Sequence, residues 1–527
     1  MDKMIFDRLA EWHPGMGSYA FIVFMIMGSL IWYWREDKPY GGFRIIGQER
    51  GEWSYEKARL RFNTNAMELL RDGFEAVHRD QTSVSPRVIL LITPQTHGRP
   101  FQIIAPFGPT VVLPPHLADE IRNDRRLTFT GFIIRQWLTR YPGLSILQAG
   151  LKGDIIQEAI RKNLNQELTY LTERLSEETS VILKEHLPTT DEWQEIKFFP
   201  VSVQLAARLS AKILLGDRLC RSKEWISVSI NFAGLVLSAG RALRAWPVVL
   251  RPFVHPFLPK LKFLRSQIAQ ARSIMEPELA ARRQARGAGT EKPMDSLSWI
   301  DDVRRGRDFD VVAGQLFLTF AAIHTTSSVL AGIMWDLLAN PEYITLLREE
   351  IIRVFTEDDG WSKNSLYKLK LMDSCMKESQ RLHVIGPHMM NRKVESPMTL
   401  SDGTHLPKGV HITVSVHNSR DPSLWGPDPM KFDGHRFLRM REQPGQENRW
   451  QFVSTSPEFL AFGHGAHACP GRFFASNEMK IVLAHLLMNY DWRVVGDKPP
   501  ESMFRSRFVP DPNTVIGCRK REPEILL

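Results

Sequence analysis

Between Val311 and Trp335 the chain runs 25 residues without an Asp, Glu, Lys or Arg, in a sequence that is 24% charged overall. A gap that long lies away from water, in lipid or in protein. Its content decides between the two. Gln315, Thr319, His324, Thr325, Thr326, Ser327 and Ser328 crowd its centre with hydrogen-bonding groups, and lipid offers such groups no partners. The run therefore predicts a long helix buried in protein, with a polar break at its middle.

An earlier uncharged stretch, Gly17 to Trp34, reads differently. As a helix it covers about 27 Å, enough for a bilayer, and Trp32, Tyr33 and Trp34 end it as an interfacial aromatic belt would. A cleaved signal peptide is the rival reading, but Arg35-Glu36-Asp37-Lys38 follows in place of a small-residue cleavage site. Arg35, Lys38, Arg44 and Arg50 after the stretch outnumber Lys3 and Arg8 before it, which places the long C-terminal part on the cytosolic side. The expected organisation is a tail (1–16), a single membrane anchor (17–34), a linker (35–53) and one large domain (54–527), since no repeat or low-complexity segment divides the remainder. The four cysteines stand far apart with no CxxC spacing, which fits a reducing compartment and argues against a disulfide framework or zinc site. A net charge of +9 favours acidic partners and anionic lipid. No basic-aromatic module supports nucleic acid binding.

Local patterns predict a mainly helical domain with small sheets. Helices are expected over 54–77, 116–122, 155–175, 201–215, 225–239, 366–382 and 472–489. Short apolar runs bounded by Pro and Gly predict strands at 88–92, 101–105, 110–113 and 410–416. Trp246 to Leu258, with three prolines and Phe253 and Phe257, reads as a lid, a membrane-touching loop or an irregular connection; Arg282 to Pro293 reads as a loop.

Phe462-Gly463-His464-Gly465-Ala466-His467-Ala468-Cys469-Pro470-Gly471 is a glycine-spaced loop that delivers one cysteine to the start of an apolar helix. A thiolate there is a soft donor suited to iron, and the helix start favours its charge. Gly465 and Gly471 would allow the sharp backbone path, while Phe462 could cover a flat cofactor. The loop resembles the proximal haem loop of the cytochrome P-450 family, Phe-x-x-Gly-x-Arg-x-Cys-x-Gly. Phe462, Gly465, Cys469 and Gly471 match it, and His467 stands where arginine is usual. The extension His-Ala-Cys-Pro-Gly-Arg-Phe-Phe-Ala is most similar to fungal members such as ent-kaurene oxidases and other terpenoid-modifying enzymes.

The resemblance implies roles for further residues. Ala321-Ala322-Ile323-His324-Thr325-Thr326 aligns with the family's Ala/Gly-Gly-x-Asp/Glu-Thr-Thr: Ala322 replaces the glycine, His324 replaces the carboxylate associated with proton delivery, and Thr325 matches the threonine that manages protons for bound oxygen. As a bare sequence feature, a buried His324 satisfied by a carbonyl is the commoner case. Glu378 and Arg381 match the family's Glu-x-x-Arg pair, and Arg436 its later arginine partner, a structural lock. Arg161 is the implied contact of a haem propionate, with Trp137 and Arg140 as a rival pair at the wrong spacing. Leu316, Phe317, Phe320, Val384, Ile385, Met389 and Met390 are the expected substrate pocket. The resemblance thus implies a haem b monooxygenase of the endoplasmic reticulum membrane, cytosolic in its catalytic part. It would take electrons from NADPH through a separate flavoprotein reductase, because no nucleotide-binding fingerprint is present, and oxidise a terpenoid or meroterpenoid. The alternative is a haem-thiolate binding or sensing protein without turnover.

Overall fold

The computed structural model describes residues 19, 21–28, 30, 38–82, 98–287, 293–358, 360–496, 503–504 and 507–527. Of the stretch read as an anchor, the described positions are helical and hold Phe21, Ile22, Val23, Phe24, Ile26 and Met27 largely exposed. Trp32, Tyr33 and Trp34 lie outside the described residues, as does the expected strand at 88–92.

Helix α1 (Glu56–Thr82) leads into a five-stranded mixed sheet. Its strands run in the order β1 (Phe101–Ala105), β2 (Gly108–Leu113), β8 (His411–Ser415), β5 (His388–Val394), β3 (Leu127–Thr128), with only β2 and β8 parallel. That parallel pair closes the N-terminal hairpin onto a strand some 300 residues later, so the sheet forms only when both ends of the domain meet. A second sheet joins β4 (Gln194–Lys197), β12 (Val515–Lys520) and β9 (Tyr490–Val494); β6 (Met398–Thr399) pairs β7 (His405–Leu406), and β10 (Met503–Phe504) pairs β11 (Arg507–Phe508).

Helices fill the space between. After α2 (Phe129–Trp137) and a 3₁₀ segment at Leu144–Leu151 comes α3 (Ile155–Ala159), which passes into a π turn at Ile160–Leu164 before α4 (Leu168–His186). The single helix expected over 155–175 is thus broken, at the turn that carries Arg161. α5 (Phe198–Leu215), α6 (Lys223–Arg244) and α7 (Pro259–Gly287) follow. α7 runs through Arg282, where the sequence predicts a loop: Arg282 donates to Glu278 one turn back at 2.7 Å and to Asp295 at 2.6 Å, and this holds the helix together. Between α6 and α7 the proline-rich stretch is irregular but for one turn, Arg251–Val254, and exposes Trp246, Phe253 and Phe257.

The uncharged run is α9 (Val311–Ala339), preceded by α8 (Ser296–Val303). Asp310 caps α9, accepting from the Ala313 N–H at 3.0 Å. α9 packs against α5, α6, the 3₁₀ segment and the later helix Lys370–Leu382, and 20 of its 29 residues are buried. Protein, not lipid, covers it. The expected polar break is absent; the helix runs unbroken, with Thr325 Oγ1 donating to Ala321 O at 2.7 Å. Then come α10 (Glu342–Asp358), α11 (Lys370–Leu382), α12 (Arg436–Arg441) and α13 (Arg472–Asn489).

Candidate active site

Cys469 stands two residues before Gly471, the N-cap of α13. Its N–H donates to Phe462 O at 2.8 Å, Ala468 N–H to Gly465 O at 3.0 Å, and Gly463 N–H to Leu460 O at 2.7 Å, so the loop folds back on itself. Gly463 and Gly465 take φ of 68° and 72°, where a side chain is strained. A Cβ on Gly465 would also sit 2.4 Å from the Cβ of Arg122, so the loop lies flat on the segment after the short helix Ala118–Ile121. Gly471 differs: at φ −88° a Cβ would meet nothing within 4 Å. Gly463 and Gly465, not Gly471, set the backbone path. His464 is buried and pins the loop from both sides, with Nε2 2.9 Å from Asp119 Oδ1 and Nδ1 3.0 Å from Thr455 Oγ1. Phe462 packs edge-on against Phe452 at 5.3 Å.

Burial pushes the Cys469 thiol up, opposed by the N–H groups of Gly471 and Arg472 and by the Arg472 charge. Arg472 also ties the loop down, donating to Cys469 O at 2.9 Å and Val453 O at 3.1 Å. A thiol so placed becomes a thiolate when a cation shares its site.

Cations gather beside the loop. Arg161 reaches from the π turn to donate to Ala466 O at 3.2 Å. Arg140 has no described contact with the loop, and Trp137 instead meets Phe320 edge-on at 5.2 Å. Arg392, 3% exposed, donates to its neighbour's carbonyl, Asn391 O, and no carboxylate pairs with it among the described residues. Burial lowers its guanidinium to about 10. His467 is exposed in this structure, its ring 6.2 Å from that of Phe129, and desolvation and the Arg392 charge, with Arg161, lower its pKa. Arg392 is missed by pattern reading because a β-bulge places it: the register of β5 shifts between Met389 and Arg392, and Met390 takes a left-handed φ of 54°.

Below the loop, Glu378 and Arg381 on α11 form a fully buried pair, with Nε to Oε2 at 2.9 Å and Nη2 to Oε1 at 2.8 Å. Arg436 Nε donates to both Glu378 oxygens at 3.1 Å, completing the expected triad. Arg381 donates on to Ser419 O and Arg436 to Trp425 O, so one carboxylate ties α11, the turn before α12 and two loops together. A second buried carboxylate, Asp373, accepts from Lys480 on α13, from Arg441 and from the Phe452 N–H.

On α9, Ala321 and Thr325 are exposed although residues 311–316 and 329–338 on either side are buried. They share one helix face with Phe317, four residues earlier. His324 points elsewhere: partly buried, its Nε2 donates to Ile230 O on α6 at 2.8 Å, an ordinary structural arrangement for a histidine. The expected pocket residues divide. Leu316 (0%) and Met390 (3%) are core residues; one residue along a helix turns Leu316 about 100° away from Phe317, and Met390 sits in the bulge of β5. Phe317 and Phe320 remain partly open. Val384, Ile385 and Met389 line a small cavity of about 30 Å³ with Leu460 and Ala461 at the root of the cysteine loop.

The family model for cytochrome P450 matches residues 94–518. The chain belongs to the cytochrome P-450 family. It is 38% identical over 490 residues to the cytochrome P-450 monooxygenase adrA of Penicillium rubens, covering 91% of this chain and 92% of that protein. It is 34% identical over 538 residues to calE of Penicillium decumbens, another cytochrome P-450 monooxygenase, with both chains fully covered. A solved cyanobacterial structure with retinoic acid bound shares the fold at a TM-score of 0.57 and 17% identity, covering 81% of this chain and 93% of that one. As a cytochrome P-450 the protein is a haem-dependent monooxygenase, and this sets aside the reading without turnover. Its residues fit the group. Haem carries two propionates; the unpaired buried charge of Arg392 and the charge of Arg161 beside the loop are the counterpart two carboxylates need, and His467 within the loop can add a neutral hydrogen-bond donor.

Proposed function

We propose that this cytochrome P-450 inserts one oxygen atom from O2 into a large lipophilic substrate of the terpenoid or meroterpenoid class. Cys469 is the iron ligand, and Arg161, Arg392 and His467 hold the propionates of haem b. The observation that carries the reading is the pairing of a pinned cysteine at a helix mouth with an exposed Ala321–Thr325 face in the middle of an otherwise buried helix.

Bound haem with a thiolate ligand supplies the redox chemistry, the thiolate donating electron density that favours O–O cleavage. The chain's residues do the rest. The Gly471 and Arg472 N–H groups and the Arg472 charge favour the anionic form of the sulfur against its burial, and bound iron would complete that balance. Phe317, Phe320 and Trp137 exclude water and hold an apolar skeleton. Thr325 Oγ1 rests its proton on Ala321 O and turns its lone pairs to the open face, where it can accept and hand on a proton. His324 is held by Ile230 O and contributes position rather than protons.

Electrons come from an NADPH-dependent flavoprotein reductase docking on the basic surface near the cysteine loop, so rising ionic strength slows reduction. The apolar stretch at 17–34 anchors the chain in the endoplasmic reticulum membrane. Exposed Trp246, Phe253, Phe257 and Phe263 support a second contact with lipid. The test is the difference spectrum of the reduced, CO-bound protein in microsomes. Wild type should show the red-shifted Soret band of a haem thiolate, and Cys469→Ala should lose it together with product formation from terpenoid substrates, O2 and reductase. An unchanged band in the variant would overturn the ligand assignment.

A further inference from the structure

A cavity of about 360 Å³ opens between the 3₁₀ segment, α7 and the start of α9. Its floor is apolar: Ile146, Ala149, Ile268, Phe309 and Ala313. Its rim is cationic. Lys152 and Arg265 both line it, and neither has a carboxylate partner among the described residues; Arg265 donates only to Pro256 O, at 3.1 Å. The third cation, Arg272, and the one carboxylate in the lining, Asp310, also face the cavity but are paired with each other, and Arg272 pairs with Glu276 as well, which leaves Lys152 and Arg265 as the unneutralised charges.

The cavity is separate from the Thr325 face. Ala313 lines it, and Phe317 stands one turn further along the same face of α9. The tip of the Phe317 ring rests on the backbone of Gly150, where a Cβ would lie 2.2 Å from Cζ. Only a glycine admits the ring there, so the phenyl forms a wall between the cavity and the Ala321–Thr325 face. From Ala313 to Thr325 is about 18 Å along the helix axis at 1.5 Å per residue.

We propose that this cavity is a second ligand site, taking an apolar molecule that carries a carboxylate. The chain rests on the floor, and the acid group lies between Lys152 and Arg265. A volume of this size suits a single chain or a small fused-ring acid, and two unpaired cations at one rim favour the ionised acid over its neutral analogue.

The experiment uses the full-length, haem-loaded protein with an azole bound on the iron, so that the inner chamber is filled. Decanoate is titrated calorimetrically while the Soret band is followed, with 1-decanol as the uncharged control. The expected result is one decanoate per protein, no movement of the Soret band, and binding of 1-decanol weaker by about tenfold or more. Lys152→Glu with Arg265→Glu should weaken decanoate by at least about tenfold while thermal stability holds, since these side chains make few contacts. Ile268→Trp, which fills the floor, should block both probes. Three results would overturn the site: no heat of binding, binding that appears only without the azole and shifts the Soret band, or binding indifferent to both variants. A failure of the haem assignment would show separately, as the absence of any azole-induced spectral change.

Discussion

The wall that carries Cys469 and the wall that carries Thr325 are built on opposite plans. Beneath the cysteine, Glu378 and Asp373 are buried carboxylates that each gather two cations. Lys377, fully buried, lies 3.6 Å over the ring of Phe459 with its Nζ donating to Ser454 O, and burial lowers its amine to about 7. Trp425, Phe437, Trp450 and Phe459 enclose this lattice. The open face of α9, formed by Phe317, Phe320, Ala321 and Thr325, has no side-chain hydrogen bond to another element among the described residues. Thr325 bonds its own helix, and Phe317 and Phe320 are held by packing alone. Directional, long-range bonds fix where the ligand atom sits, while packed and partly open aromatics leave the chamber free to change shape. The first wall should therefore fail as a unit, and the second should retune.

Glu378→Gln is the hardest blow to that contrast. It leaves Arg381 and Arg436 buried with their shared charge removed, which should cost about 3–5 kcal/mol and release haem; urea unfolding followed by Soret absorbance measures it. If the variant keeps its haem and midpoint, the lattice is not what holds the loop.

The cysteine-bearing wall contains one weak point, and it gives a pH signature. Glu478 on α13 is fully buried, neither oxygen has a hydrogen-bond partner among the described residues, and burial raises its carboxyl from 4.5 to about 8. The folded protein thus takes up a proton that the unfolded chain has lost. Stability is fully present below pH 4.5 and declines as pH climbs through about 8. Glu478→Gln should flatten this slope and melt higher than wild type at pH 8, by scanning calorimetry. An unchanged slope would mean that the carboxyl has a partner in solution.

On the chamber wall the effects should be smaller in stability and larger in chemistry. Phe320→Ala removes a half-open ring from Trp137 and should cost about 1–2 kcal/mol while changing the distribution of oxidised products, read by mass spectrometry. Thr325→Ala should stay within about 0.5 kcal/mol of wild type. It should instead lower product formed per NADPH consumed by about tenfold or more. A Thr325→Ala protein with undiminished coupling would show that the proton comes from elsewhere.

Legibility divides along the same line. The Glu378–Arg381 pair is readable because i, i+3 spacing on a helix fixes proximity, and α9 and α13 are readable because burial leaves a compositional gap or a period. What escapes depends on contacts distant in sequence or on local backbone exceptions. Arg392 turns inward through a bulge that no alternation pattern announces. Leu316 and Phe317 are neighbours of equal hydrophobicity, and only the packing of α9 against its surroundings decides which faces the chamber. Gly463 outranks Gly471 because of a left-handed turn. Arg282 stays helical through ion pairs with Glu278 and Asp295, one of them across a segment that reads as loop.

The bulge in β5 also sets a rule for recombining this chain with a relative. Met390 and its left-handed backbone absorb one extra residue, so a chimera whose junction adds or drops a residue between His388 and Val394 would invert every side chain downstream in the strand. Arg392 would then swing to the opposite side of the sheet and leave the propionates without it. Crossovers belong outside this heptapeptide, which should be inherited as a single block together with β8.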